Sequence, residues 1–507
     1  MSQESPSFTT ALDHHRAGRL DAAATAYQAT LAENPGHTDA LYNLGVLRAS
    51  EGRLEEAEGH YRDVLGILPG DPETLFGLAN LMQVRGSLEE AEALYLEVIE
   101  SRPVLVAARL NLGTVYRDSH RLDQALEQYR RAIEIDPNMI QAHCALGIGL
   151  SEQGHDGEAM VCFEAVLKVA PDNPEAHNNL GHLLARVGRN EESLAMYQRA
   201  IDLKPDWAAA YTNMSKTLKD LGRSDEAIEA CRQSIALAPD GEEGYRNLAA
   251  LLGEEERYDK ATELLEEFLE RHPGQPKIAY QLGSLYQICG QPERGVAHLR
   301  KALEADPEDA NTLNNLATVL LDLGQLDEAQ SYLEMSIEKS PDFAFAYNTL
   351  GNVHHRRGDI RAASAAFRQA AESDPNMVHA LVNLGNMQRD LGEVGEALEI
   401  LERVVAEHPD SASAHAALGS SLRELGRNVE AIEEHNKALE IEPDRLDALN
   451  NLAISSQDIG DYNAAWHWYM RAIDLYPDRP EAYYNFGNFL QSQRRFEDSI
   501  AAYNQAL

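Results

Sequence analysis

Fourteen of the 20 prolines in this chain recur at a constant interval of 34 residues, with no insertion between them. They lie at residues 35, 69, 103, 137, 171, 205, 239, 273, 307, 341, 375, 409, 443 and 477. Proline breaks the interior of a helix but is tolerated in its first turn, so prolines in a fixed phase mark helix boundaries. The 507-residue chain is therefore predicted to repeat one short unit along its length.

Each repeat, counted from residue 4 in steps of 34, has the same pattern of small and large residues. Positions 8 and 20 are small in every repeat, position 24 is usually a large ring such as Tyr129 or Phe367, and position 15 is Gly in 12 of 15 repeats. A glycine at position 15 suits the left-handed residue that follows a helix. The pattern predicts two antiparallel helices per repeat, the second beginning near position 17. Since one pair cannot bury its apolar faces alone, neighbouring repeats must stack.

This order of residues resembles the tetratricopeptide repeat, a helix–turn–helix unit of the same length. The resemblance covers residues 4–507. It implies an all-α fold, a right-handed superhelical solenoid of about 15 repeats. We expect a single continuous domain, with 14 complete repeats over residues 4–479 and a truncated fifteenth over 480–507. In this family the first helix of each repeat lines the concave side.

The fifteenth repeat stops at its position 28, and its second helix, FEDSIAAYNQAL, is amphipathic. Solenoids normally end in a polar cap, because a bare end leaves an apolar face in water. We therefore expect either that the chain is a piece of a longer protein or that something covers this end. Self-association through the uncapped C-terminal repeat is a further hypothesis.

The charge of the chain excludes several classes of ligand. Lys and Arg total 44 against 83 Asp and Glu, which gives a net charge of −39. Such an acidic surface repels nucleic acid and anionic membranes. The four cysteines include no C-x-x-C pair, and the sequence begins without a secretory signal, so the expected location is the cytoplasm.

No catalytic motif is present in these residues. The spacings of phosphate-binding loops, zinc proteases, nucleophile elbows and EF-hands are all missing. The adjacent pairs His14-His15 and His354-His355 chelate a metal poorly, because neighbours on a helix point about 100° apart. We therefore predict a non-enzymatic chain with no cofactor and no metal site.

Position 6 of the repeat is asparagine nine times, and positions 2, 6, 9 and 13 share one helical face. The nine are Asn43, Asn111, Asn179, Asn213, Asn247, Asn315, Asn383, Asn451 and Asn485. Asparagine costs several tenths of a kcal/mol relative to alanine inside a helix, so its recurrence calls for a reason. An amide offers donors and an acceptor, so a row of amides can hold the backbone of an extended peptide. Alternatively, the amides bond to neighbouring repeats and fix the superhelical pitch.

A second row, of carboxylates, occupies position 13. It consists of Asp118, Asp220, Asp322, Asp390 and Asp458, together with Glu152, Glu254 and Glu424. These side chains are predicted to contact hydroxyls or basic groups of a bound segment. The alternative is a solvated helix end. Aromatic residues at position 5, among them Tyr42 and Phe76, either add flat apolar contacts to the same surface or pack between repeats.

The asparagine row is similar to the repeat arm of the O-linked N-acetylglucosamine transferases, in which such a row holds extended substrates by their backbone. The stretch AAAYTNMSKTLKDLG, residues 208–222, is especially close. In that family the catalytic domain follows the repeats, whereas these 507 residues contain no sugar-nucleotide site and six repeats lack the asparagine. The six residues in its place are Thr9, Gly77, Ala145, Gln281, Thr349 and Ala417. Two hypotheses follow: a protein-interaction scaffold that binds extended segments in its concave groove, or the substrate-recognition arm of such a transferase.

Overall fold

The computed structural model describes residues 6–507, which form thirty α-helices and no strand. The first fifteen are α1 Pro6–Arg16, α2 Leu20–Glu33, α3 Thr38–Ser50, α4 Leu54–Ile67, α5 Pro72–Val84, α6 Leu88–Ser101, α7 Val106–Asp118, α8 Leu122–Ile135, α9 Ile140–Glu152, α10 Asp156–Val169, α11 Pro174–Arg186, α12 Asn190–Leu203, α13 Ala208–Asp220, α14 Ser224–Leu237 and α15 Glu242–Glu254. The others are α16 Tyr258–Arg271, α17 Pro276–Ile288, α18 Pro292–Ala305, α19 Ala310–Asp322, α20 Leu326–Lys339, α21 Ala344–Arg356, α22 Ile360–Ser373, α23 Val378–Asp390, α24 Val394–Glu407, α25 Ala412–Glu424, α26 Asn428–Ile441, α27 Leu446–Asp458, α28 Tyr462–Leu475, α29 Pro480–Ser492 and α30 Phe496–Ala506.

Local sequence sets the helix boundaries. A complete repeat places its first helix at positions 1–13 and its second at positions 17–30, as predicted. The start of a first helix is held by a side-chain cap in several repeats. For example, Asp71 accepts a hydrogen bond from the backbone N–H of Thr74 at 2.9 Å, and Pro72 occupies the first turn. Such caps satisfy N–H groups that have no partner within the helix.

The two helices of a repeat pack through the small residue at position 8 and the ring at position 24. A Cβ atom on Gly351 would lie 2.5 Å from a ring carbon of Phe367, so only glycine leaves room for that ring in its present position. Phe367 is accordingly 1% exposed. The core then continues from repeat to repeat, and one cluster of buried residues extends from Ala57 to Leu184. These features confirm the predicted all-α solenoid of stacked helix pairs.

The chain divides into two compact bodies, with the boundary inside α15. We call the residues up to Leu251 the N-terminal body and those from Leu252 onward the C-terminal body. That residues 4–507 form one domain stays a prediction. Among residues 6–507, no helix has both the length and the apolar content needed to cross a bilayer.

Position 15 has a left-handed backbone even in the three repeats that lack glycine there. His120, Glu256 and Arg494 have φ angles of 59°, 57° and 60°. A side chain in this region costs about 1–2 kcal/mol, which a glycine avoids at the expense of some extra entropy in the unfolded chain. We expect His120→Gly to raise the free energy of unfolding by about 0.5–1 kcal/mol, measured as a higher urea midpoint. His120→Ala, which keeps the Cβ atom, is the control. Equal midpoints for the two variants would contradict this account.

Candidate functional site

The first helices of the repeats line the inner side of each body. In the N-terminal body α3 contacts α5 and α5 contacts α7, and in the C-terminal body α23 contacts α25 and α25 contacts α27. Within residues 6–507, no two successive second helices touch to a comparable extent. The inner elements of a curved stack approach most closely. Positions 2, 6, 9 and 13 of the first helices share one face and are mostly exposed or half-buried, so this face lies outside the core on that side.

All nine position-6 asparagines are half-buried. Five of them donate a hydrogen bond from Nδ2 to the first helix of the preceding repeat. The bonds run from Asn111 to Asn80 (2.8 Å), Asn213 to Asn178 (3.1 Å), Asn315 to Ser284 (3.2 Å), Asn383 to Asn348 (3.2 Å) and Asn451 to Ser420 (3.1 Å). These bonds agree with the expectation that the row fixes the stacking of repeats.

The amides keep hydrogen-bonding capacity beyond these contacts. Each bond uses one of the two N–H groups of an amide. No residue within 6–507 donates to the Oδ1 atom of Asn213, Asn383 or Asn451. Asn179 and Asn485 make no side-chain hydrogen bond within the same residues, although both are half-buried. The inner surface therefore presents unused amide groups in both bodies.

The remaining two amides differ from these. Asn43 donates to the backbone oxygen of Asp39 in its own helix at 2.7 Å. The Nδ2 atom of Asn247 is buried and has no hydrogen-bond partner among residues 6–507. The row is therefore regular in position but not in how its members bond.

The position-13 carboxylates all lie exposed at the last residue of a first helix. Some join neighbouring repeats: Asp322 accepts a hydrogen bond from Gln287 at 2.6 Å, and Arg389 pairs with Asp390 at 3.0 Å and with Glu424 at 3.5 Å. Asp118 lies 3.7 Å from the neighbouring Arg117. Within the described part of the chain, Asp220 and Asp458 form no ion pair, so their charges face solvent.

One cavity of about 470 Å³ in the C-terminal body brings three predicted residues together. Asn383, Asn451 and Asp390 all line it. Ala417, which replaces the asparagine in the repeat between Asn383 and Asn451, also lines it. The remaining lining residues are His355, Phe367, His379, Val382, Asn386, Met387, Arg389, Ser413, Ala416, Ser420, Arg445 and Asp447.

A second cavity, of about 360 Å³, opens on the inner face of the N-terminal body. It too lies at a repeat that lacks the asparagine, because Gly77 occupies position 6. Its lining consists of Tyr42, Val46, Ala49, Leu54, Tyr61, Phe76, Gly77, Asn80, Leu81 and Val84. Tyr42 and Phe76 were among the aromatic residues predicted for this surface, whereas the cavity was not predicted. The available signal was Val84, which takes the place of a position-13 acid in the same repeat as Gly77.

The titratable side chains of the described residues are dispersed. Among residues 6–507, no three or more His, Cys, Asp and Glu side chains come together in a way that could hold an ion. Cys231 is fully buried at position 24, where burial raises the pKa of its thiol. The described residues form a repeat solenoid, and such folds are non-catalytic scaffolds.

The solved structures that match the chain are distant from it in sequence. They include the APC/C hetero-tetramer Cut9-Hcn1 (15% identity, TM-score 0.47), where the match covers 97% of this chain and 96% of that one. Yeast Tom70 gives 14% identity and a TM-score of 0.45, covering 84% and 96%, and Naa15/Naa10 bound to HypK-THB gives 14% and 0.35, covering 99% of each. No curated protein sequence matches the chain.

Family models match nearly the whole chain. Models described as the tetratricopeptide repeat, or TPR repeat, match residues 8–72, 48–110, 113–154, 172–240, 212–276, 275–342, 309–376, 348–412, 388–445 and 450–507. The matches follow the same repeats that the prolines mark. This chain belongs to the tetratricopeptide repeat family.

Proposed function

We propose that this chain is a scaffold that binds extended polypeptide segments along the inner face of its first helices. TPR solenoids are typical of protein-interaction scaffolds. The observation that carries the proposal is the row of half-buried amides, several of which have N–H and C=O groups that no other described residue uses. An extended peptide presents the complementary groups, because each of its residues has one backbone donor and one acceptor.

The C-terminal cavity supports this proposal. Two amides from repeats that are not adjacent, Asn383 and Asn451, face the same space of about 470 Å³. This volume is within the range of ligand sites. The exposed carboxylates, such as Asp220 and Asp458, and the net charge of −39 favour segments with basic residues, whose binding should weaken with added salt.

The test separates peptide binding from repeat stacking by using one matched pair of variants in each body. Peptides are selected from a random displayed library with the full chain, and the most enriched is synthesised. Asn179→Ala and Asn485→Ala remove amides without a neighbour bond, whereas Asn213→Ala and Asn451→Ala also remove one. In the body that binds the peptide, both variants of the pair should bind it about fivefold more weakly than the wild type. Each loses one hydrogen bond to the peptide, which is worth about 1 kcal/mol.

Stability supplies the control for this test. Only Asn213→Ala and Asn451→Ala should lower the urea midpoint, because only they lose a bond to the preceding repeat. If no peptide is enriched, or if the affinity of the enriched peptide is unchanged in all four variants, the row does not bind ligand and serves stacking alone.

A second candidate function uses the same groove. The similarity of residues 208–222 to transferase repeats favours a substrate-recognition arm of a protein glycosyltransferase. Sequencing the gene beyond residue 507 tests it. A glycosyltransferase domain in the same reading frame would support this function, and its absence would contradict it.

A further inference from the structure

The side chain of Tyr61 lines the N-terminal cavity, and its hydroxyl has no partner among residues 6–507. Tyr61 occupies position 24 of its repeat and is 3% exposed. Its hydroxyl makes no hydrogen bond with any residue among 6–507, and burial raises its pKa to about 12. The hydroxyl is therefore free to bond to a polar atom that enters the cavity.

The hydroxyl of the equivalent tyrosine forms hydrogen bonds in two other repeats. Tyr95 donates to Asn80 at 2.6 Å and lies 2.8 Å from Gln83, which occupy positions 9 and 12 of the same repeat. The last repeat has the equivalent contacts from Tyr503 to Asn488 and Gln491, at 2.8 and 3.2 Å. In these two repeats, an Asn at position 9 and a Gln at position 12 therefore bond to the hydroxyl from within the repeat.

The repeat of Tyr61 has no polar residue at either place, since Val46 is at position 9 and Ala49 at position 12. Position 6 of the next repeat supplies no polar side chain either. Gly77 replaces the asparagine, and a Cβ atom there would lie only 3.2 Å from Cζ of Tyr61. Val84, which is 74% exposed, continues the apolar wall outward.

The cavity is lined mainly by apolar and aromatic side chains, with Asn80 as its one amide. No charged side chain is among its lining residues. Two aromatic walls, Tyr42 and Phe76, offer the edge and face contacts that a further aromatic ring prefers. Burial, followed by the charges of Glu73 and Asp71, raises the pKa of Tyr42, so the acidic field reaches this wall.

We infer that this cavity receives one aromatic side chain with a hydrogen-bonding tip, a tyrosine above all, from a bound extended segment whose flanking residues are basic. The inference rests on the proposed function, because the backbone of that segment lies along the amide row. The aromatic ring fills the space between Tyr42 and Phe76, and its hydroxyl pairs with that of Tyr61. The basic neighbours face Asp71 and Glu73.

The experiment compares short lysine-flanked synthetic peptides that differ only at a central Tyr, Phe or Ala, with affinities for the full chain measured by fluorescence anisotropy. We expect the Tyr peptide to bind about fivefold more tightly than the Phe peptide, because of one added hydrogen bond. The Phe peptide should bind about 10-fold more tightly than the Ala peptide, because it buries a ring. Tyr61→Phe should abolish the difference between the Tyr and Phe peptides.

A second variant gives the hydroxyl of Tyr61 the kind of internal partner that Tyr95 has in the neighbouring repeat. Val46→Asn places an amide where Asn80 meets Tyr95, so the hydroxyl of Tyr61 gains an internal partner. It should remove the preference for Tyr and leave the affinity for the Ala peptide unchanged. By contrast, Asn43→Ala, in the repeat that precedes Gly77, should weaken all three peptides by the same factor.

The outcomes separate the cavity from the groove. Equal affinities of the three peptides for the wild type overturn the inference and leave the proposed function standing. If none of the peptides binds, the inference is overturned, whereas the proposed function stands or falls with the library selection. Saturation-transfer NMR with p-cresol, the tyrosine side chain alone, adds a readout that does not need the groove. A signal that Val46→Asn does not reduce would also overturn the inference.

Discussion

Replacing Asn315, Asn383 and Asn451 together by alanine should weaken the binding of an extended peptide to the C-terminal body by about 100-fold. Each amide is expected to contribute one hydrogen bond to the peptide backbone, and three such bonds amount to about 3 kcal/mol. The measurement is the dissociation constant of a library-selected peptide whose binding is sensitive to Asn451→Ala. An affinity within about twofold of the wild type would contradict the expectation.

The same triple variant has a limited effect on stability. It loses three bonds to preceding repeats, but alanine is the better helix former, so the free energy of unfolding should fall by only about 1–2 kcal/mol. The control replaces three amides on second helices, Gln330, Gln369 and Asn436, by alanine. These side chains lie away from the first-helix face, and their removal should leave peptide affinity unchanged.

A single buried histidine should make the stability of the C-terminal body depend on pH. His435 occupies position 24, is fully buried, and neither ring nitrogen has a hydrogen-bond partner among residues 6–507. Burial lowers its pKa to about 4, and the opposing effect of Asp447 is smaller. In the unfolded chain the pKa is about 6.5. Stability is therefore complete above about pH 6.5, and it is lost as the pH falls from there towards 4, because only the unfolded state binds the proton.

The variant His435→Phe isolates this contribution, since Phe163 and Phe367 fill the same position in other repeats. The difference in the free energy of unfolding between this variant and the wild type should be about 2 kcal/mol larger at pH 5 than at pH 8. The reason is that one proton bound only by the unfolded wild type costs about 1.4 kcal/mol for each pH unit below 6.5. Urea unfolding at the two pH values measures the difference. Parallel loss of stability in the two proteins would show that His435 is not the responsible group.

The sequence was sufficient to predict the helices but not the cavities. Prolines and the glycine at position 15 mark boundaries through local backbone chemistry, so both helices of each repeat could be predicted without knowing their neighbours. The cavity at Gly77 can be predicted only when two repeats are considered together, because Tyr61, which lies against Gly77, belongs to the preceding repeat. Its apolar floor depends in turn on Val46 and Ala49.

The hydrogen-bond partners of the asparagines could not be predicted from a single repeat either. Whether an amide binds its neighbour depends on what the preceding first helix offers. Asn315 meets Ser284 at position 9, whereas Asn383 meets Asn348 at position 5. The residue types were visible in the sequence, but the offset between adjacent first helices was not. That offset decides which of the two positions lies within hydrogen-bond distance.

The claim that the amide row holds a polypeptide by its backbone is tested most directly by N-methylating the selected peptide. A methyl group on alternate peptide nitrogens removes backbone donors and leaves every side chain in place. Methylation in one of the two alternating registers should reduce affinity by at least about 10-fold. Replacing the peptide's side chains by alanine, apart from any aromatic residue, should change affinity only a few-fold. Unchanged binding of both methylated peptides, together with loss of binding on alanine replacement, would contradict the claim.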